Sequence, residues 1–154
     1  MTDRKMSSIV KKRLIMIGRS FAGKTTLCQS MNGETLKYRK TQAVELVCDN
    51  MIDTPGEYFE QRRFWGALTV TAMDADIILL VQEATEDGTM FPPGYGSGFS
   101  RPAVGIVTKC DLASEKQIRD AESCLEMAGA QKIFRVSNVT GKGIKELTDY
   151  LSRL

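Results

Sequence analysis

The sequence predicts an α/β protein of three layers: a mainly parallel, six-stranded sheet with one antiparallel hairpin at its edge and helices on both faces. Three observations lead there. Two long apolar runs, ADIILLV (75–81) and AVGIVT (103–108), lack polar alternation, which is the pattern of strands covered on both sides. Stretches with apolar residues at helical spacing separate the candidate strands. A glycine-containing turn, GRSFAGKT (18–25), joins the first strand to the first helix.

The elements follow in order. RLIMI (13–17) reads as a buried strand, and residues 24–32 as a helix that Gly33 stops. AVELV (43–47) and MID (51–53) form a short hairpin around Asp49-Asn50. Residues 57–73 read as one helix, with Phe59, Leu68 and Ala72 on its inner face. After the strand 75–81, the segment 85–102 holds four glycines and three prolines where a crossover helix would stand. It is long enough to cross between parallel strands, but its composition opposes a regular helix. Such a loop is either functional or disordered, and Phe91, Tyr95 and Phe99 favour a contact surface. Beyond the strand 103–108, SEKQ (114–117) has capping-box spacing and opens a helix that ends near Gly129. KIFRVS (132–137) is the last strand, and the final helix carries Ile144, Leu147, Leu151 and Leu154 as one core-facing stripe. Residues 12–154 read as a single domain behind a polar tail, 1–11, expected to be a disordered terminus.

Composition narrows the function. A chain of 154 residues with 42% hydrophobic and 26% charged content suits one soluble domain. A net charge of +2 is too small to imply nucleic-acid binding. No apolar stretch approaches the roughly 18 residues of a membrane span, and the polar start is no secretory signal, so a cytoplasmic protein is expected. The four cysteines have neither CxxC nor zinc spacing and read as reduced thiols. Histidine is absent, which removes Ser-His-Asp and Cys-His catalysis and any histidine general base.

GRSFAGKT matches GxxxxGK[ST], the phosphate-binding P-loop, through Gly18, Gly23, Lys24 and Thr25. The motif sits at the strand-to-helix junction its mechanism needs, with backbone N–H groups and a helix N-terminus turned towards phosphates. The residues assigned to the nucleotide are Gly18, Arg19, Ser20, Phe21, Ala22, Gly23, Lys24, Thr25 and Thr26. Lys24 would reach the β- and γ-phosphates, and Thr25 would hold Mg²⁺.

Further motifs resemble the GTPase branch of the P-loop proteins in their order. DTPG (53–56) resembles the stretch whose carboxylate, here Asp53, holds Mg²⁺ through water and whose glycine N–H, here Gly56, senses the γ-phosphate. Thr41 is placed like the switch threonine that closes over Mg²⁺. TKCD (108–111) resembles the guanine-reading NKxD motif: Asp111 can accept from guanine N1–H and the 2-amino group, and the Lys109 stem would cover the base. Thr108 replaces the usual asparagine, and weaker affinity is expected from the lost amide. Ser137-Asn138 matches the loop around the base in such proteins.

GKTTL, KTQAVE, IDTPGEY and TKCD together resemble the EutP/PduV family, small GTPase-like proteins of bacterial ethanolamine and propanediol utilisation. The resemblance spans residues 12–154. It implies a Ras-like P-loop NTPase fold, binding of GTP or GDP (ATP possible) with Mg²⁺, and association with a bacterial microcompartment. The implied partner is a shell component, an enzyme or a cytoskeletal element. Three departures bear on mechanism. Glu57 stands where many small GTPases carry the glutamine that orients water; it can orient or deprotonate water, or simply complement the helix dipole. Phe21 replaces the asparagine of potassium-dependent relatives, which argues against potassium activation. Arg39, Arg62 and Arg63 flank the switch-like segments without an evident arginine finger, so turnover by the isolated protein should be slow. Lys24, Thr41 and Glu57 are the catalytic candidates. An ATP-dependent kinase for a short carboxylate such as acetate, and a non-catalytic nucleotide-binding adaptor, are the competing readings.

Overall fold

The sheet runs in the order β2-β3-β1-β4-β5-β6 and is parallel except for the β2–β3 pair at its edge. The computed structural model describes residues 13–19, 21–31, 45–48, 51–54 and 56–154, with the backbone alone at 45–48, 51–53, 57 and 58. The strands are β1 (Leu14–Ile17), β2 (Glu45–Cys48), β3 (Met51–Asp53), β4 (Ile77–Glu83), β5 (Ala103–Thr108) and β6 (Lys132–Arg135). The helices are α1 (Lys24–Met31), α2 (Gly56–Glu60), α3 (Trp65–Ala72), α4 (Glu115–Met127) and α5 (Ile144–Ser152).

Alternation along the strands makes two cores. Leu14, Met16, Ile77, Leu79, Val104 and Ile106 face α1 and α5, meeting Leu27, Cys28, Met31, Leu147 and Leu151. Ile15, Ile17, Ile78, Leu80 and Val107 face the other way, onto Phe59, Leu68 and Ala72 of α2–α3 and Ile118, Ala121 and Leu125 of α4. Strands buried on both faces read as unbroken apolar runs for this reason. With β1 between β3 and β4, the chain leaves β1 in one direction and returns on its other side, which opens a crevice beyond the strand C-termini.

The α4 capping box forms as expected: Gln117 N–H donates to Ser114 Oγ at 3.2 Å, and Ser114 N–H to Gln117 Oε1 at 2.9 Å. Three expectations need correction. The helix predicted over 57–73 is two helices, because Gln61 is extended (φ −118°, ψ 119°) and a 3₁₀ turn at Arg62–Phe64 intervenes. The break folds Trp65 back over Phe59, with rings 3° from parallel, centroids 5.6 Å apart, and Trp65 Nε1–H donating to Phe59 O at 2.7 Å. Leu154 lies beyond α5 and is 40% exposed, so the stripe ends at Leu151. The segment 85–102 is an ordered strap with a 3₁₀ turn at Tyr95–Gly98. Its aromatics turn inward rather than forming an outer contact surface: Phe91 is buried, and Phe91, Tyr95 and Phe99 pack on the core with Trp65. Backbone N–H groups of Gly94 and Gly96 tie the strap to the end of α4 through Met127 O and Ala128 O. Among the described residues no helix is long and apolar enough to cross a membrane.

Candidate functional site

The loop after β1 is shaped by its glycines. A Cβ on Gly18 would collide with the carbonyl of Val81 in β4, so only glycine can turn there. Gly23 has φ +95° and opens α1. Phe21 also takes a left-handed conformation (φ 65°) with no glycine's freedom, and its ring is 54% exposed. Lys24 Nζ–H donates to Gly18 O at 3.0 Å and to Arg19 O at 2.8 Å, so the ammonium is held across the loop and is buried. Thr25, also buried, follows in the first turn of α1, with Ala22 buried beneath the loop and Thr26 partly buried.

The ends of β5 and β6 meet this loop from the side. Thr108 Oγ1–H donates to Ala22 O at 2.6 Å, and Lys109 Nζ–H donates to Phe21 O at 2.6 Å. The Thr108 hydroxyl thus braces the loop in place of the missing amide, because the strand end stands close enough to the loop for a short side chain. Lys109 takes φ 59°, a left-handed turn that non-glycine residues adopt at some cost. Asp111 Oδ1 accepts from Ser137 Oγ–H at 2.8 Å, while Ser137 Oγ accepts from Thr140 N–H at 3.2 Å. The exposed carboxylate is therefore aimed by a buried serine. Asn138 stands beside them, its Oδ1 buried without a hydrogen-bond partner. Phe21, Ala22 and Gly23 of the loop are thus in contact with Lys109, Thr108 and Asn138, and Asp111 with Ser137.

Ser20 and Thr41, with Arg39 and the rest of 32–44, lie outside the described residues. Asp53 ends β3 and Glu57 lies in the first turn of α2 by backbone position; their side chains lie outside the described part. Thr54 between them is buried and donates from Oγ1 to Met16 O at 2.8 Å, which pins the start of the DTPG turn to β1. Gly56 is buried and opens α2. Arg62 and Arg63 rest over the rings of Trp65 and Phe64, each 4.8 Å from the centroid.

Sequence reasoning missed two carboxylates. Glu83, at the end of β4 and in register with Thr108, pairs with Lys109 Nζ at 3.3 Å. Glu86 begins the strap and pairs with Arg19 of the phosphate loop at 3.4 Å. Burial pushes the Glu86 carboxyl above its ordinary 4.5, and the Arg19 guanidinium opposes that shift. The readable signal was position: a strand-end carboxylate next to the strand carrying TKCD. Burial likewise raises the Cys110 thiol, which keeps it protonated between Lys109 and Asp111. Among the described residues no three His, Cys, Asp or Glu side chains gather as a metal cage.

The family described as "Ethanolamine utilisation - propanediol utilisation" (PduV-EutP) matches residues 11–153. The chain is 46% identical over 141 residues to "Propanediol utilization protein PduV" of Citrobacter freundii, covering 92% of this chain and 93% of that one. It is 33% identical over 144 residues to "Probable acetate kinase EutP" of Escherichia coli K12, covering 93% and 91%. Its fold is similar to that of the bacterial selenocysteine-specific elongation factor EF-Sec, with a TM-score of 0.69 and 23% identity, over 93% of this chain and 28% of that one. The three-layer α/β P-loop fold is thus shared with that elongation factor, and the chain spans less than a third of that larger protein.

Proposed function

The chain belongs to the PduV-EutP family, and on that premise we propose that it binds guanine nucleotides with Mg²⁺ and hydrolyses GTP slowly, as a switch in a microcompartment-linked catabolic system. The observation that carries this reading is the Asp111–Ser137 hydrogen bond of 2.8 Å. A carboxylate pointed by a buried hydroxyl suits the N1–H and 2-amino donors of guanine, donors that adenine lacks at those positions. The Lys109 and Thr108 bonds to Phe21 O and Ala22 O join this base reader to the phosphate loop.

Each residue has a task in this reading. The buried Lys24 ammonium exchanges two loop carbonyls for β- and γ-phosphate oxygens. The Thr25 hydroxyl and the Asp53 carboxylate are hard oxygen donors suited to Mg²⁺, with Thr41 closing over it. When bound, Mg²⁺ supplies neutralisation of the developing phosphate charge. In this reading the Gly56 N–H senses the γ-phosphate and Glu57 orients water. The nucleotide state then changes segments 34–42 and 56–64, which act on a shell, enzyme or cytoskeletal partner.

A second reading rests on the name of the Escherichia coli relative. A short carboxylate would attack the γ-phosphorus of ATP, giving an acyl phosphate and ADP. Calorimetry with GTP, GDP and ATP, in Mg²⁺ and with Asp111→Ala as control, separates the two. Guanine preference that vanishes in the variant, with turnover on the order of 10⁻³ per second or below, is expected. ATP consumption that requires acetate and ignores Asp111 would replace the first reading by the second.

A further inference from the structure

Glu86 has no task in nucleotide binding as described so far, yet its side chain is only 8% exposed and its Oε2 meets Arg19 Nη1 at 3.4 Å. A carboxylate taken that far from water keeps its charge only when a cation meets it. Among the described residues Arg19 is that cation: burial pushes the carboxyl above its ordinary 4.5, and the guanidinium opposes the shift by charge and by hydrogen bond.

Arg19 uses its two ends differently. Its carbonyl accepts from Lys24 Nζ–H at 2.8 Å and from Ala22 N–H at 3.2 Å, so it shapes the loop and holds the ammonium meant for phosphates. Its guanidinium, 45% exposed, is anchored on Glu86. The anchor is firm, because Glu86 N–H donates to Glu83 O at 3.2 Å, Gln82 grips Gly88 O and Thr89 Oγ1, and Phe91 is buried in the core. Of the groups around the pair, Glu83 of β4 is taken by Lys109 at 3.3 Å and by Thr85 Oγ1–H at 2.7 Å, and Asp87 is exposed. From α4 comes Cys124, which feels both Glu86 and Asp120, and burial keeps its thiol protonated.

We propose that Glu86 is a positioning residue for the phosphate loop: it clamps Arg19, whose carbonyl holds Lys24, and so keeps the loop in the shape that receives phosphates. This rests on the nucleotide-binding reading and adds to it a dependence on acid. Protonated Glu86 no longer pairs with Arg19, so affinity is greatest with the carboxylate ionised and falls as pH drops. Because burial raises this carboxyl, the fall begins at a higher pH than an exposed glutamate would set.

The test is calorimetric binding of GDP to the full chain in Mg²⁺, for wild type, Glu86→Gln, Arg19→Gln and the double variant. Glu86→Gln should weaken GDP about tenfold, and the double variant should bind no more weakly than Arg19→Gln, since nothing is left for Glu86 to act through. Losses that simply add overturn the inference. The advantage of wild type over Glu86→Gln should also shrink between about pH 8 and about pH 5, as protonation gives wild type a neutral side chain. Titration of the nucleotide's own phosphates cancels in that ratio, and an advantage constant over the range overturns the inference. Arg19→Gln reaches the pair from its exposed side; full GDP affinity in that variant overturns the inference whether or not Glu86→Gln folds. Melting without nucleotide completes the set: a lower Tm in Glu86→Gln with unchanged GDP affinity would make the pair a support of the fold alone. If wild type binds GDP in an Asp111-dependent way and the Glu86 variant binds equally well, this inference alone fails. If wild type binds neither guanine nor adenine nucleotides, the nucleotide reading fails with it.

Discussion

Thr108 illustrates how a single side chain carries a loop. Its hydroxyl reaches Ala22 O across 86 residues of chain, from a site with no exposure at all. Thr108→Val keeps the shape and leaves a buried carbonyl unpaired, which should cost about 1–3 kcal/mol. Urea unfolding reads that loss, and nucleotide dissociation should quicken as the two loops part; unchanged stability would show the brace to be idle. The TKCD departure was legible in the sequence, and its compensation was not. A motif states which residue is present, whereas a hydrogen bond to Ala22 depends on how closely β5 ends beside the phosphate loop.

At the scale of elements, the strap and the split helix form one unit. Phe59 of α2 lies 4.5 Å from Phe91 and 5.6 Å from Tyr95, ring centroid to centroid, and Tyr95 meets Trp65 at 5.2 Å and Phe99 at 5.4 Å. Burial in this cluster pushes the Tyr95 phenol up to about 12, so it stays protonated. Gln82 anchors the strap's start, donating to Gly88 O at 3.0 Å and accepting from Thr89 Oγ1–H at 2.7 Å. The segment following DTPG therefore rests on the strap. Phe91→Ala should cost about 3–5 kcal/mol, the usual range for a buried phenylalanine. Hydrogen exchange should quicken in both 84–102 and 56–65; quickening confined to the strap would mean that the two elements are not coupled. Glycine and proline content correctly excluded a regular helix here. It could not say which way the aromatics point, because that depends on their packing against Phe59 and Trp65, which come from a distant part of the chain.

Across the whole molecule, strand alternation divides the core between two faces, and β1 serves both. The phosphate loop is thus the exit of the central, fully buried strand, and a ligand bound there is tied to both halves of the core. Nucleotide at a hundredfold excess over Kd should stabilise the protein by about 2.7 kcal/mol. For a domain of this size that raises Tm by about 5–10 °C. Calorimetric scans with Mg²⁺ and GTP check this, and chelation of the metal should reverse most of the gain; a Tm indifferent to nucleotide would contradict the proposed site.

The order and type of most elements, the two-sided burial of the sheet and the glycine turn after β1 were legible in the sequence, whereas the break at Gln61 was not. These follow from periodicity, glycine placement and capping residues, which act within a few positions of the chain. The tertiary structure alone decided that Glu83 and Glu86 join the loop cations, that the strap's aromatics turn inward, and that the Asn138 amide shares a corner with Thr108 and Gly23. Each of these depends on the distance between segments far apart in sequence, which is fixed only when the sheet has brought its strand ends together.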